Sequence, residues 1–338
     1  MFIPQLYSVA LAMTVLTMLC WGSWANTQKA VGTWRFELFY WDYVWGLLLG
    51  ALVLGFTLGR TNPASLDSFT VNLSLASRHA LGYAFLGGAI FNLANLLLVA
   101  AIAIAGLAVA FPIGIGLALV IGSVLNYVIE PKGNPLLLFG GIALVGVAIV
   151  LDALAYRRHS GGGKVTTKGI ALSLLCGVFM GSFYPFVAKA LSTDDPGHLG
   201  PYTVAFIFAL GVLASNFPLN YALMRRPITG RPVAVADYFS GRGRYHVWGV
   251  LGGIIWMVGS VSNFAASYAA MVGPATSYAL GQGATMVSAV WGVFVWKEFR
   301  GASAGVKALL ALMFLFFLLG LASVALAPIV QWGTPAAS

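Results

Sequence analysis

Four side-chain amides, Asn92, Asn95, Asn263 and Gln282, lie inside long apolar stretches of the sequence. An amide offers donors and acceptors without a fixed charge, so such a set suits recognition of a small, polar, uncharged solute. An unpaired amide in hydrocarbon costs on the order of several kcal/mol, so each must face a cavity or a partner helix; hydrogen bonding between helices is the competing role. Asn92 and Asn95 are three residues apart and share a helix face. Trp21, Trp24 and Tyr184 could stack on a flat heterocycle or a sugar face, or act as interfacial anchors. The anchor role is expected of Trp41, Tyr43, Trp45 and Trp248.

Any coupling to protons would need a group that changes its protonation state, and carboxylates are the usual candidates inside membranes. Glu37 and Asp42 flank the start of the second apolar stretch, Glu130 and Glu298 close two others, and Asp152 lies about one turn inside the end of the fifth. Asp42, set among Tyr40, Trp41 and Tyr43, is the leading proton-coupling candidate; a carboxylate stabilised at a helix N-terminus is the competing reading. Glu298 beside Lys297 reads as a structural pair. No His-Glu-x-x-His pattern occurs, and His79, His159, His198 and His246 fall in connections or at the ends of apolar runs. Cys20 and Cys176 have neither metal-ligand spacing nor a disulfide-rich context. No metal or cofactor is expected, and an intramembrane enzyme lacks its marks.

The elements that must hold these residues are membrane helices. Of 338 residues, 60% are hydrophobic and 8% charged, against about a quarter charged in soluble domains. A soluble globular enzyme is thereby excluded. Each crossing takes about 20 apolar residues, and ten spans are expected near 5–25, 38–59, 80–103, 106–128, 136–156, 169–191, 202–224, 246–270, 273–297 and 305–328. The amino terminus lacks a basic leader and cleavage site, so it is expected to remain as the first span. Connections between spans three and four and between eight and nine are very short. Fourteen of the eighteen Lys and Arg, Lys164 among them, fall in odd-numbered connections, against Arg60, Arg78, Lys132 and Lys189 in the even ones. The positive-inside rule then puts the odd connections in the cytoplasm and both termini outside, in what is expected to be a bacterial-type inner membrane. The net charge of +9 is read as this orientation signal rather than as a nucleic-acid footprint, with lipid-headgroup binding by the run from Arg225 to Arg244 as a secondary reading.

The two halves match each other. LTMLC at 16–20 resembles LSLLC at 172–176, GSW at 22–24 followed by Lys29 resembles GSF at 181–183 followed by Lys189, and LGGAIFN at 86–92 resembles LGGIIWM at 251–257. Five spans per half is an odd number, so the second half must enter the membrane from the opposite side. The expected organisation is one five-helix repeat over 1–156, a basic cytoplasmic linker over 157–168 and an inverted repeat over 169–338. Such repeats place a midplane site at their interface and expose it to each side in turn. Helix breakers fall at similar points, AFPIGIG at 110–116 and GPATSYALGQG at 273–283, and are expected to interrupt spans four and nine. Close packing at the glycines and a simple helix start at Pro274 are the competing reading.

The first half contains WGSWA at 21–25, Trp41-Asp42-Tyr43, LGG at 86–88 with Asn95, and LNYVIEPKGN at 125–134. The second half contains Gly241-Arg242-Gly243, Asn263, Gln282, VSAVWG at 287–292 and KEFRGAS at 297–303. With five plus five spans, these stretches resemble the drug/metabolite transporter superfamily, and within it the ureide permease branch and the related glucose/ribose porters. The resemblance implies an all-helical ten-span fold and secondary transport of a small polar solute, ureides and oxo-nucleobases in one branch and sugars in the other. Proton-coupled uptake is the expectation, with Asn92, Asn95, Asn263, Gln282, Trp21 and Tyr184 as substrate-binding candidates and Asp42 as the coupling one. An exporter of amino acids or drugs, a channel and an intramembrane enzyme are the alternatives. The chain departs from the plant permeases in having only RRHSGGGKVTTK at 157–168 where they carry a long central hydrophilic loop.

Overall fold

The computed structural model describes residues 1–32, 34–63, 65–159, 166–269 and 271–330. Half of the 157–168 linker, residues 160–165 with Lys164, lies outside the described residues. Ten stretches are long and apolar enough to cross a membrane, and no strand occurs among the described residues. Span one is α1 (Tyr7–Ser23) with α2 (Ala25–Val31), and span two is α3 (Phe36–Phe56), followed by the short α4 (Phe69–Leu75). Spans three to seven are α5 (Arg78–Ala105), α6 (Leu107–Ile129), α7 (Pro135–His159), α8 (Thr167–Leu191) and α9 (Pro201–Arg225). A short α10 (Val235–Phe239) precedes span eight, α11 (Gly243–Tyr268). Span nine is divided into α12 (Pro274–Gly281) and α13 (Ala284–Val290), and span ten is α14 (Ala304–Leu326).

Local chemistry sets the helix ends. The Oγ of Ser77 accepts from the Ala80 amide at the start of α5, Thr166 from Gly169 at α8, and Ser303 from Val306 at α14, each satisfying an otherwise orphaned donor. Pro201 and Pro274 sit in the first turns of α9 and α12, where a missing N–H costs nothing. Both very short connections turn on a glycine, Gly106 and Gly273, each at φ +76°, a conformation in which a side chain is strained. The expected pair of interruptions is half realised. Span four is continuous, with Pro112 inside α6, whereas span nine breaks at Gln282 and Gly283 and ends in one π-helical turn over Trp291–Val295.

Packing is densest where backbones meet. A Cβ on Gly46 would overlap the carbonyl oxygen of Val250, and one on Gly253 that of Tyr43, so α3 and α11 touch backbone to backbone. Likewise Gly88 faces the carbonyl of Phe208 and Gly211 that of Phe85, joining α5 and α9. Such small-residue contacts let membrane helices gain dispersion energy that lipid would otherwise match. Tyr43 itself is fully buried against Trp24 and Tyr40, with ring centroids 4.6 and 5.2 Å away, and is a core residue rather than the interfacial anchor expected of it. Trp45 and Trp248 do stand exposed on the helix surface.

Hydrogen bonds among the even-numbered connections and the amino terminus draw one end of the bundle together. The Ser77 hydroxyl donates to Asp195, the Ser77 amide donates to the Gly197 carbonyl at 2.9 Å, and Asn72 both accepts from the Gly200 amide and donates to the His198 carbonyl. Phe2 donates to the Leu58 carbonyl and accepts from the Tyr202 hydroxyl. At the opposite end, where the odd-numbered connections lie, spans one, five and nine stand apart around a cavity.

Candidate functional site

The cavity holds about 330 Å³. It runs from the middle of the helices to the ends of spans one, five and nine. Its inner part is aromatic. Trp21 stacks on Trp256 with centroids 5.6 Å apart and planes 17° from parallel, Phe91 lies 4.3 Å from Trp256, and Phe183 closes the same wall. The Trp21 indole is held by an Nε1–H bond to Ser260 Oγ at 3.0 Å, which fixes the ring's face toward the space. The outer part is polar, with Asn26, Gln28, Lys29, Asp152, Tyr156 and Glu298.

Three of the six proposed binding residues line this space: Trp21, Asn95 and Gln282. Asn95 donates through Nδ2 to the Tyr40 hydroxyl at 3.0 Å, and its Oδ1 has no hydrogen bond among the described residues. Gln282 sits at the break between α12 and α13, where the backbone leaves helical register, and no hydrogen bond occupies its side chain among the described residues. Between them they present one fixed acceptor and one complete amide.

The other three are spent on the scaffold. Asn92 accepts from Tyr40 Oη at 2.9 Å and donates to Ser215 Oγ at 2.9 Å, joining α3, α5 and α9. Asn263 accepts from Tyr184 Oη at 2.5 Å and donates to the Ser277 carbonyl at 2.9 Å, joining α8, α11 and α12. Tyr184 is thereby buried with its hydroxyl committed. These bonds still bear on the site, because the Asn92–Tyr40–Asn95 chain orients Asn95, and Asn263 pins the helix just before Gln282.

Asp42 is buried away from the cavity. Tyr238 donates to its Oδ1 at 2.6 Å, and His246 Nδ1 lies 3.0 Å from both of its oxygens. Trp34 packs edge-on against His246 at 4.7 Å, so the cluster fastens α10 and the start of α11 to α3. Glu298 pairs not with its neighbour Lys297 but with Lys29, Nζ to Oε1 at 2.5 Å, and accepts from Tyr156 Oη at 2.5 Å. Burial raises the Glu298 carboxyl, but the bonds from Lys29 and Tyr156 and the lysine charge outweigh it and hold it below the usual carboxylate range. Asp152, nine-tenths buried on the cavity wall, has an Oδ1 without a hydrogen-bond partner among the described residues.

Sequence reasoning missed Trp256 and Phe91 as site residues. The signal was present: they occupy the same place in the matching LGG segments, and in the structure they touch each other across the cavity wall.

The sequence profile of the ureide permease family matches residues 39–164 and 157–327. Ureide permease 1 of Arabidopsis thaliana is 25% identical over 385 aligned residues, covering 93% of this chain and 95% of that protein. Ureide permease 2 of the same plant is 25% identical, covering 94% and 96%, and probable ureide permease A3 of Vigna unguiculata is 22% identical, covering 78% and 88%. A protein of known crystal structure superposes with a TM-score of 0.61 at 16% identity, over 94% of this chain and 98% of the other, a likeness of fold alone. With the family profile covering nearly all of its length, this integral membrane chain belongs to the ureide permease family and is a permease rather than an enzyme.

Proposed function

We propose that the protein is a secondary transporter that moves a ureide, or a similarly compact uncharged heterocycle, by alternating access. The observation that carries this reading is the cavity itself: it is lined at mid-bundle by Trp21, Trp256 and Phe91, and supplied with an acceptor on Asn95 and, among the described residues, a free amide on Gln282. A ureide is planar or nearly so and carries adjacent N–H and C=O groups, so an aromatic lining and unpaired amides meet both its faces and its edges. The names of the relatives favour ureides over sugars.

The inverted repeat, in the manner of the drug/metabolite transporter superfamily, is supported by a register in the close crossings. Gly46 and Gly211 are 165 residues apart, and so are the carbonyls they face, Phe85 and Val250 in exchanged order. Gly88 and Gly253 keep the same interval, as do their partners Tyr43 and Phe208. Each crossing of α3 on α11 thus has a counterpart of α9 on α5, the relation expected of repeats over 1–156 and 169–338. By the charge rule the cavity opens to the cytoplasm of an inner membrane, with both termini outside.

Counterflow in liposomes tests the function. Purified protein should exchange labelled for unlabelled allantoin, uracil or xanthine without altering it, and saturably. Binding without flux, chemical conversion of the solute, or exchange confined to hexoses and pentoses would each displace the ureide-carrier reading.

A further inference from the structure

Asp152 is a buried carboxylate on the cavity wall with an oxygen that has no hydrogen-bond partner among the described residues. The groups around it are few. Tyr156, one turn further along α7, donates to Glu298, and Glu298 accepts from Lys29 of α2. His159, at the end of α7, packs its ring against Phe299. Among the described residues, α6, α13 and α14 bring no charged side chain to the cavity. Among the described residues, the one cation lining the cavity, Lys29, is therefore already matched by Glu298, and Asp152 has no counter-ion of its own.

That imbalance has a consequence for closure. The Lys29–Glu298 pair bridges the ends of spans one and nine at the cavity mouth, and drawing the mouth shut would strip remaining water from the Asp152 carboxyl. An uncompensated carboxylate in a closed, low-dielectric space is costly, whereas a neutral carboxylic acid beside a matched ion pair is not. Ionisable residues in membrane proteins mark proton pathways for this reason. Asp42 cannot serve in the same way from its place, because Tyr238 and His246 already occupy its oxygens and it does not border the cavity.

We propose that Asp152 is the proton-binding group of the transport cycle, with Lys29 and Glu298 as positioning residues that hold the rest of the site neutral. One proton adds to the Asp152 carboxylate while the site faces the opposite side, crosses with the solute, and is released to water when the mouth opens at the odd-numbered connections. No bond of the solute changes. The proposal rests on the transport reading above.

Asp152→Asn, which imitates the protonated state, should keep counterflow and make it independent of pH, while losing all accumulation driven by an imposed proton gradient. Accumulation at the wild-type level, or loss of counterflow together with accumulation in a monodisperse protein, overturns the assignment. Asp42→Asn, measured beside it, should still accumulate solute. Should Asp152→Asn fail to fold, Asp152→Glu must shift the pH midpoint of uptake, and an unmoved midpoint overturns the assignment. A readout free of transport separates this proposal from the carrier reading. Infrared difference spectra of the purified protein titrated with pH should contain one protonated-carboxyl band that is absent from Asp152→Asn, even if no ureide is exchanged. A spectrum unchanged by the substitution would exclude Asp152 as a proton carrier.

Discussion

At the residue scale, the amides divide by what they leave unpaired. Asn95 and Gln282 turn unused polar atoms into the cavity, whereas Asn92 and Asn263 satisfy theirs on neighbouring helices. Removing a hydrogen bond to a neutral solute costs about 0.5 to 1.5 kcal/mol. Gln282→Ala should therefore weaken apparent affinity roughly two- to tenfold at unchanged thermal stability, and Asn95→Ala should do the same while losing only its bond to the Tyr40 hydroxyl, about 0.5 to 1.5 kcal/mol. Asn263→Ala should act in the opposite sense. It removes the acceptor of the buried Tyr184 hydroxyl and a donor to the Ser277 carbonyl, at about 0.5 to 1.5 kcal/mol for each bond lost from the core. Unfolding temperature in detergent and uptake kinetics, read side by side on the three variants, separate the roles. Equal loss of stability in all three would return Asn95 and Gln282 to the helix-joining role. The sequence shows that these amides are buried, but not which way they face. In lipid a helix is apolar on every side, so no polar stripe distinguishes the cavity face from the contact face.

At the element scale, the positions of the spans are legible because apolar runs of the right length have one stable destination. The short links at Gly106 and Gly273 fall where expected. The break in span nine is legible from its Gly-Gln-Gly sequence, while Pro112 lies inside α6 without ending it. The crossings make a sharp prediction. Gly253→Ala places a methyl group against the Tyr43 carbonyl and Gly46, with backbone on both sides and no flexible side chain to yield. Overpacking of this kind costs about 1 to 3 kcal/mol or more. Gly140→Ala, with nothing within 4 Å of the added methyl, should be neutral or gain up to about 1 kcal/mol from helix propensity. Gel-filtration profiles and melting temperatures of the two variants check the contrast, and a well-behaved Gly253→Ala would mean that α3 and α11 are not held this closely.

At the scale of the whole molecule, the two ends of the bundle are in different states. The carboxylates that sequence reasoning weighed illustrate why this was hidden. Asp42 is favoured by its aromatic neighbours in the chain, whereas Asp152 acquires its surroundings from Lys29 and Glu298, each more than a hundred residues away. The same long-range assembly builds the seam at the even-numbered connections, where Ser77 and Asp195 meet. Bonds from the Ser77 hydroxyl and the Gly197 amide hold Asp195 below its ordinary value of 3.8. Its contribution to the seam is therefore present above that value and fades only as pH falls through the still lower folded value. If the molecule works by alternating access, this seam must part for the site to face the other way. Cysteines placed at 77 and 195 and joined by a short bifunctional reagent should abolish counterflow, and cleaving the linker should restore it. A cysteine at Asn26 in the cross-linked protein should stay reactive toward an impermeant reagent in inside-out vesicles and be shielded in intact cells, since it lines the cavity that remains open. Counterflow that survives the cross-link would show that solute passes without the seam opening, and the reverse labelling pattern would turn the molecule over in the membrane.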